Sequence, residues 1–486
     1  MTWRVPQPPR LFDRRNVVTS AGSLAICASW ASAAVALPSV SGGPVISITE
    51  FGARSQPGFD NTRAVQAAIN AVERRGGGTV LVPGRFRCGA IVISGSNVRL
   101  QGQSGWLVDA RLTIGAQARN IQVADLGILD TSGDRRRYLL EVAGQNCTFT
   151  NLQLVKDPIA GGVQMYVRQS ASGCRFSGLR LKGSNGIILA GRDHLFEQFA
   201  LESAMSKSVG ADDAFAIKAP DGVTENITIR NGIIRGFGAM VSFGSEIGTS
   251  KANGRAGIVR NVTVENVRGD RCTRIAFFKP GALDYDYRNG LVEAITLKDV
   301  TLSDPAGEYF RTGIYMLAGR GATIRGVEAS GIEISARAVD RGVATTSAVH
   351  MYLQGKGAPA RIENVRLQVD FVDPYAGAPH SARAPGHPVD FIAQIEKQNP
   401  ASGTMSGVVL DVNGRGSSFG GIHVGPGLDG AVYVRSAVMT GVATDPPAAT
   451  GGGGIWSYSR LRLGTIQIES VKLPKFGGPA FAKSRN

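Results

Sequence analysis

Cys147-Thr-Phe149-Thr-Asn-Leu152 and Cys174-Arg-Phe176-Ser-Gly-Leu179 share one frame: apolar, any, apolar, any, any, apolar. Upstream it reads Ile121-Gln-Val123-Ala-Asp-Leu126. Downstream it returns as Val262-Thr-Val264-Glu-Asn-Val267, Ile295-Thr-Leu297-Lys-Asp-Val300, Ala360-Arg-Ile362-Glu-Asn-Val365, Val432-Tyr-Val434-Arg-Ser-Ala437 and Ile466-Gln-Ile468-Glu-Ser-Val471. Looser copies start at His194, Ile227 and Ala322. Each copy reads as a short strand with alternating faces, and the unpatterned pair inside it suits a corner. Strands and turns recurring at roughly 30 residues are a solenoid signature. One rung cannot bury its inward side chains alone, whereas rungs stacked at about 4.8 Å build a continuous interior column. The uneven spacing suits a parallel β-helix whose longer loops leave at the corners. A β-propeller is the rival, but it needs about four strands in each repeat of roughly 40–50 residues.

Composition agrees with many turns and short strands. The chain has 486 residues, of which 64 are Gly and 22 Pro, with 7% aromatics. Charged residues at 19% and hydrophobic ones at 43% exclude bulk disorder. No apolar run is long enough for a polytopic membrane protein. The formal charge of +15 favours a polyanionic partner, although a merely solvated basic surface gives the same number. A nucleic-acid partner is not expected, since there is no basic helix, zinc-finger spacing or aromatic RNA-binding signature.

The first residues read as an address. Arg14-Arg15 precede an apolar stretch from Val17, and Ala31-Ser-Ala33 and Ala34-Val-Ala36 read as small-residue cleavage sites. The pair of arginines resembles a bacterial twin-arginine export signal, with ordinary secretion as the alternative. The expected organisation is a signal over 1–36 and a β-helix domain over 44–475. Within that domain a loop insertion is expected at about 371–403, and a tail follows at 476–486. The mature protein is then periplasmic or extracellular, with no membrane insertion after signal removal.

Beyond the signal the cysteines are Cys88, Cys147, Cys174 and Cys272, and neither they nor the scattered His350, His380, His387 and His423 have metal-ligand spacing. No metal and no cofactor are expected. Cys147 and Cys174 hold one frame position in successive copies, as do Phe149 and Phe176, so they read as stacked core residues rather than a disulfide. His194 falls on an inward position and reads as a satisfied, half-buried histidine. Asn146, Asn226 and Asn261 begin Asn-x-Thr triplets within the strand frame, which argues for strand chemistry rather than glycosylation.

Two stretches carry a resemblance. Ile48-Thr-Glu-Phe51-Gly52-Ala53, Asn61-Thr62-Arg-Ala-Val-Gln66-Ala-Ala-Ile69-Asn and Gly76-Gly77-Gly78-Thr79-Val80-Leu81-Val82-Pro83-Gly84 resemble the opening of the pectate-lyase-like superfamily. Asp60 or Asn61 can cap a helix over about 61–75 that carries Ala64, Val65, Ala68, Ile69 and Val72 on one face. Such a helix plugs the open end of a solenoid. The fold expected is therefore all-β: a single-stranded right-handed parallel β-helix (solenoid) with an N-terminal capping helix.

Gly210-Ala-Asp212-Asp213-Ala-Phe-Ala-Ile-Lys218, with Gly236-Phe237-Gly238 downstream, is similar to the family 28 glycoside hydrolases, which are polygalacturonase-like enzymes. That family carries N-T-D, G-D-D-C-x-A-I-K, G-H-G and R-I-K. Here Asn185 replaces the first carboxylate and Phe237 the histidine. Arg274 and Lys279 lie further apart than in R-I-K, and Tyr315 matches a later tyrosine. The resemblance implies Asp212 as general acid and Asp213 as a base or water-positioning group, with inversion of configuration. Lys279 and Arg274 would hold a substrate carboxylate, and Tyr315, Asn185, Lys218 and Phe237 would complete the binding site.

Strand parity sharpens the question at the acid pair. With Phe215 and Ile217 inward, Asp212, Ala214, Ala216 and Lys218 face out, and Asp213 points inward unless the chain bends near Gly210. A buried unpaired carboxylate is costly. Asp284-Tyr285-Asp286-Tyr287-Arg288 could wall the same groove. The expected partner is a polysaccharide, acidic in character, that the enzyme hydrolyses. The alternatives are a polysaccharide lyase or uronate epimerase on the same fold, or a non-catalytic binding or structural β-helix. Oligomeric state has no signature in the sequence.

Overall fold

The computed structural model describes residues 43–483 apart from 134–137, 158–161, 204–211, 221, 248, 251–256, 283–286, 305–308, 337–346, 356–357, 373–390, 398–402, 416–420, 425–431, 441–453, 458–465, 469–470 and 473–480. The expected export signal, Gly210, Asp284, Tyr285, Asp286, His380 and His387 lie outside the described residues.

A right-handed parallel β-helix results. Its strands form two large parallel sheets. The first holds the frame copies, with Ile258–Asp270, Leu291–Asp304, Thr323–Ala336 and Ala360–Val372 stacked in succession. The second runs in chain order from Ala90–Ile93 to Phe481–Lys483. Among the described residues one antiparallel pair occurs, Thr249–Ser250 with Tyr287–Arg288, outside both sheets.

The corners have a residue-level cause. Ile227 pairs with Val262 and Val262 with Ile295, so these copies stand in register. The residue before the frame is left-handed in successive rungs: Asn120, Asn146, Gly173, Asp193, Asn226, Asn261 and Ala294. So is its fifth residue: Asp125, Asn151, Gly178, Gln198, Asn231, Asn266 and Asp299. Asn, Asp and Gly tolerate that conformation at least cost. Their side chains also link the rungs: Asn261 Nδ2 donates to Asn226 Oδ1 at 3.2 Å and Asn266 Nδ2 to Asn231 Oδ1 at 2.8 Å. The copies at Ala322 and Ala360 are out of this register. Val327 and Val365, their last residues, pair with the level of Ile295, so their bends Gly326 and Asn364 occupy the first corner column.

Inside, Phe176 lies between Phe149 (4.6 Å) and Phe196 (4.3 Å) in a parallel ring stack. Cys147, Cys174, Cys88 and Cys272 are all buried free thiols, and burial pushes Cys88 and Cys272 up to about 12. His194, 2% exposed, accepts from the Cys174 N–H at Nδ1 and meets the Ala190 carbonyl at Nε2, as a satisfied core histidine should.

The cap helix spans Thr62–Glu73 and buries the expected face together with Ala71. Asp60 Oδ1 accepts the Thr62 N–H at 2.9 Å, whereas Asn61 is buried and its Oδ1 accepts from Arg54 N–H at 2.7 Å. Gln66 covers the outermost strand of the second sheet by bonding both the N–H and the carbonyl of Val92. An otherwise open strand edge is thereby closed.

Two expected boundaries are corrected. Phe391–Lys397 pairs with the strand Ser347–Gln354, so the stretch 371–403 is not all insertion. Phe481–Lys483 pairs with Gly454–Ser457, so the coil continues into the expected tail 476–486. Both segments lack the frame because they belong to the second sheet.

Candidate active site

On the second sheet, Ile187, Phe215, Val241, Ala276 and Ile314 stack inward in register. The next position of each rung faces out: Ile188, Ala216, Ser242, Phe277, Tyr315 and His350. A pocket of about 150 Å³ opens beside Ala216 and Ser242, lined also by Asn185, Asp212, Asp213, Lys218 and Lys279.

The regular strand begins only at Phe215, so parity does not govern the two acids. Asp212 is exposed, while Asp213 is 8% exposed, and both line the pocket. Ala214, expected outside, is fully buried, which is where the chain turns inward between the acids and the strand. Asp213 Oδ2 accepts from Ser242 Oγ at 2.5 Å and lies 3.4 Å from Lys279 Nζ. Burial pushes the Asp213 carboxyl above its ordinary value of 3.8. The Asp212 charge adds to that, while Lys279 and Ser242 pull it down. Asn185 Nδ2 approaches Asp212 Oδ2 at 3.5 Å. Lys218 is ion-paired with Glu246.

Beside the pocket lies an aromatic stack. Phe277 and Tyr315 are parallel at 4.9 Å, and Tyr315 and His350 are nearly so at 4.6 Å. The Arg274 guanidinium lies 4.7 Å from the Phe277 centroid and 5.8 Å from that of Tyr315. Its Nε is closed to solvent without a hydrogen-bond partner, and no carboxylate among the described residues pairs with it. Burial pulls the Arg274 pKa down, and the Arg311 charge works the same way, against Asp213 and Tyr315. A largely buried cation paired with no carboxylate among the described residues is a ready seat for an anion.

Most expected site residues therefore converge. Asp212, Asp213, Asn185, Lys218 and Lys279 share the pocket, and Arg274 and Tyr315 adjoin it. Phe237 does not belong: at 1% exposure it is a core residue and cannot touch a ligand from there. Lys279 also differs from expectation, since its ammonium already faces Asp213. Sequence reading missed Ser242, Glu246 and the place of His350 in the stack. Ser242 and His350 share an outward column that only the register of the second sheet reveals.

No protein-family model matches the chain, and no curated protein is similar to it in sequence. Solved structures are similar in fold. A family 28 exopolygalacturonase of Yersinia enterocolitica is 12% identical with a TM-score of 0.53, over 89% of this chain and 79% of that one. A mutant tailspike protein of E. coli bacteriophage HK620, solved with a pentasaccharide, is 12% identical with a TM-score of 0.53, over 87% and 78%. At such identity the likeness is one of fold: a right-handed parallel β-helix.

Proposed function

We propose that this chain is an exported enzyme that hydrolyses glycosidic bonds of an acidic polysaccharide. One observation carries the reading: an exposed and a buried carboxyl, Asp212 and Asp213, line one pocket on the outer face of the coil. Two carboxyls in unlike environments divide acid and base work. The resemblance implies Asp212 as the acid, but burial favours the protonated form at Asp213. We therefore assign Asp213 to protonate the leaving oxygen and Asp212 to activate water, with Ser242 and Lys279 fixing Asp213 in place. Arg274 supports an acidic substrate, because a sugar carboxylate would pair with a guanidinium that no carboxylate among the described residues pairs with. The Phe277–Tyr315–His350 stack offers ring edges against which a sugar can pack, since both faces of Tyr315 are already covered. A polygalacturonase and an oligosaccharide-bound tailspike on the same fold agree with a polysaccharide ligand. Arg14-Arg15 and the small-residue cleavage sites support export.

The test is a screen of the mature protein against acidic and neutral polysaccharides, read for reducing ends and for unsaturated product. Reducing ends without ultraviolet absorbance support hydrolysis. Chelator-sensitive unsaturated product would move the assignment to a lyase. A binding role without turnover is favoured by Asn185, an amide beside Asp212 where the family resemblance places a carboxylate. Retention on polysaccharide gels with no product across the panel would establish it.

A further inference from the structure

The outward column continues in the other direction from the pocket. Ala216 pairs with Ile188, Ile188 with Tyr166 and Tyr166 with Glu141. Tyr166 thus stands two rungs before Ala216, about 10 Å along the sheet. One rung further, Glu141, 7% exposed, is shared by Arg111 and by Arg168, whose Nη2 lies 2.6 Å from Glu141 Oε1. Burial works to raise Glu141, but the two guanidinium hydrogen bonds outweigh it and hold the carboxyl below its ordinary value. Among the described residues the cluster therefore keeps one uncompensated positive charge. Arg111 Nε is closed to solvent with no partner. The Arg168 guanidinium lies 3.9 Å from the Tyr166 ring centroid, and Tyr138 meets Tyr166 edge-on at 5.3 Å.

We infer that Arg111, Arg168 and Tyr166, standing two to four rungs from the acid pair, form a second subsite, which binds an anionic sugar of the same polysaccharide chain. This rests on the polysaccharide reading of the pocket. A residual cation stacked on an aromatic ring suits a uronate: the sugar packs against the Tyr166–Arg168 pair and the carboxylate meets the guanidinium groups. Glu141 orients both arginines without cancelling them.

The experiment uses the full chain carrying Asp212→Asn and a series of oligogalacturonates from dimer upward, with affinity measured by calorimetry. The longer oligomers bind more tightly than the dimer, and Arg168→Ala and Tyr166→Ala each lower that long-to-short ratio by roughly tenfold, the scale of one charge-assisted hydrogen bond. High salt diminishes the effect of Arg168→Ala. Arg325→Ala, which removes an arginine from the first sheet, leaves the ratio unchanged. Because Arg111 remains on Glu141, Arg168→Ala retains a paired cluster. Tight binding with an unaltered ratio in both variants overturns this subsite alone. Failure of the starting protein to bind any length overturns the polysaccharide reading and this subsite with it.

Discussion

Lys279 Nζ reaches Asp213 Oδ2 at 3.4 Å from two rungs further along the coil, with Ser242 contributed by the rung between. Three successive rungs therefore meet at one carboxyl. Burial still outweighs the ammonium and keeps the proton on Asp213 more tightly than in water. That balance separates Asp213 from its neighbour Asp212 and gives the pair unequal chemical roles.

The raised value has a thermodynamic signature. The folded chain binds this proton more tightly than the unfolded chain, so the associated stability is complete below 3.8 and is lost as pH rises through the folded value. Chemical denaturation measured across that window should show stability falling with pH, and Asp213→Asn should flatten the fall. Equal slopes in both proteins would remove the claim that burial dominates at Asp213.

Glu141 has the opposite sign. Its folded value is lowered, so its contribution is present above 4.5 and disappears as pH falls through the folded value. Glu141→Gln should flatten the acid limb of the stability curve by about 1 kcal/mol, a small amount because both arginines are more than a third exposed. An unchanged acid limb would count against the pairing.

Ala294 is the misfit of its corner column, left-handed at φ 54° between Asn261 and Gly326. A left-handed non-glycine residue costs roughly 1–2 kcal/mol. Ala294→Gly should raise stability by about 1 kcal/mol, whereas Asn266→Ala, at φ 49° and bonded to Asn231, should lower it by about 1–2 kcal/mol. Thermal unfolding of the two variants checks the corner rule, and a loss of stability in Ala294→Gly would contradict it.

Role assignment within the pair is separable from its presence. If Asp213 supplies the proton, Asp213→Asn should keep far more activity on a glycoside with an activated aryl leaving group than on the polysaccharide, because that group departs unprotonated. Activity of the unaltered enzyme should fall as pH rises through the Asp213 value. The same selective rescue in Asp212→Asn instead would restore the order that the family resemblance implies.

How far the sequence reached follows from where its pattern is strong. The first sheet was legible because the corner residues repeat with the frame, so Asn266 beside Val267 marks a bend as well as a strand. Strands such as Ala276–Phe278 are too short for periodicity and carry no corner signal, so of the second sheet only the alternation around Phe215 and Ile217 is legible. The site lies on that sheet. The acid pair was visible as an unusual dipeptide, but its partner Ser242 is an ordinary residue whose role depends on register. Phe237 stands where the resembling family has a histidine, and its burial reflects the simpler preference of a large apolar ring for the core.

The most direct measurement is reducing-end release from the best polysaccharide of the screen by the unaltered protein, Asp212→Asn and Asp213→Asn, with folding verified for each. Hydrolysis by the paired carboxyls requires both variants to lose about 10²-fold or more in rate. Undiminished release by either one would contradict the account.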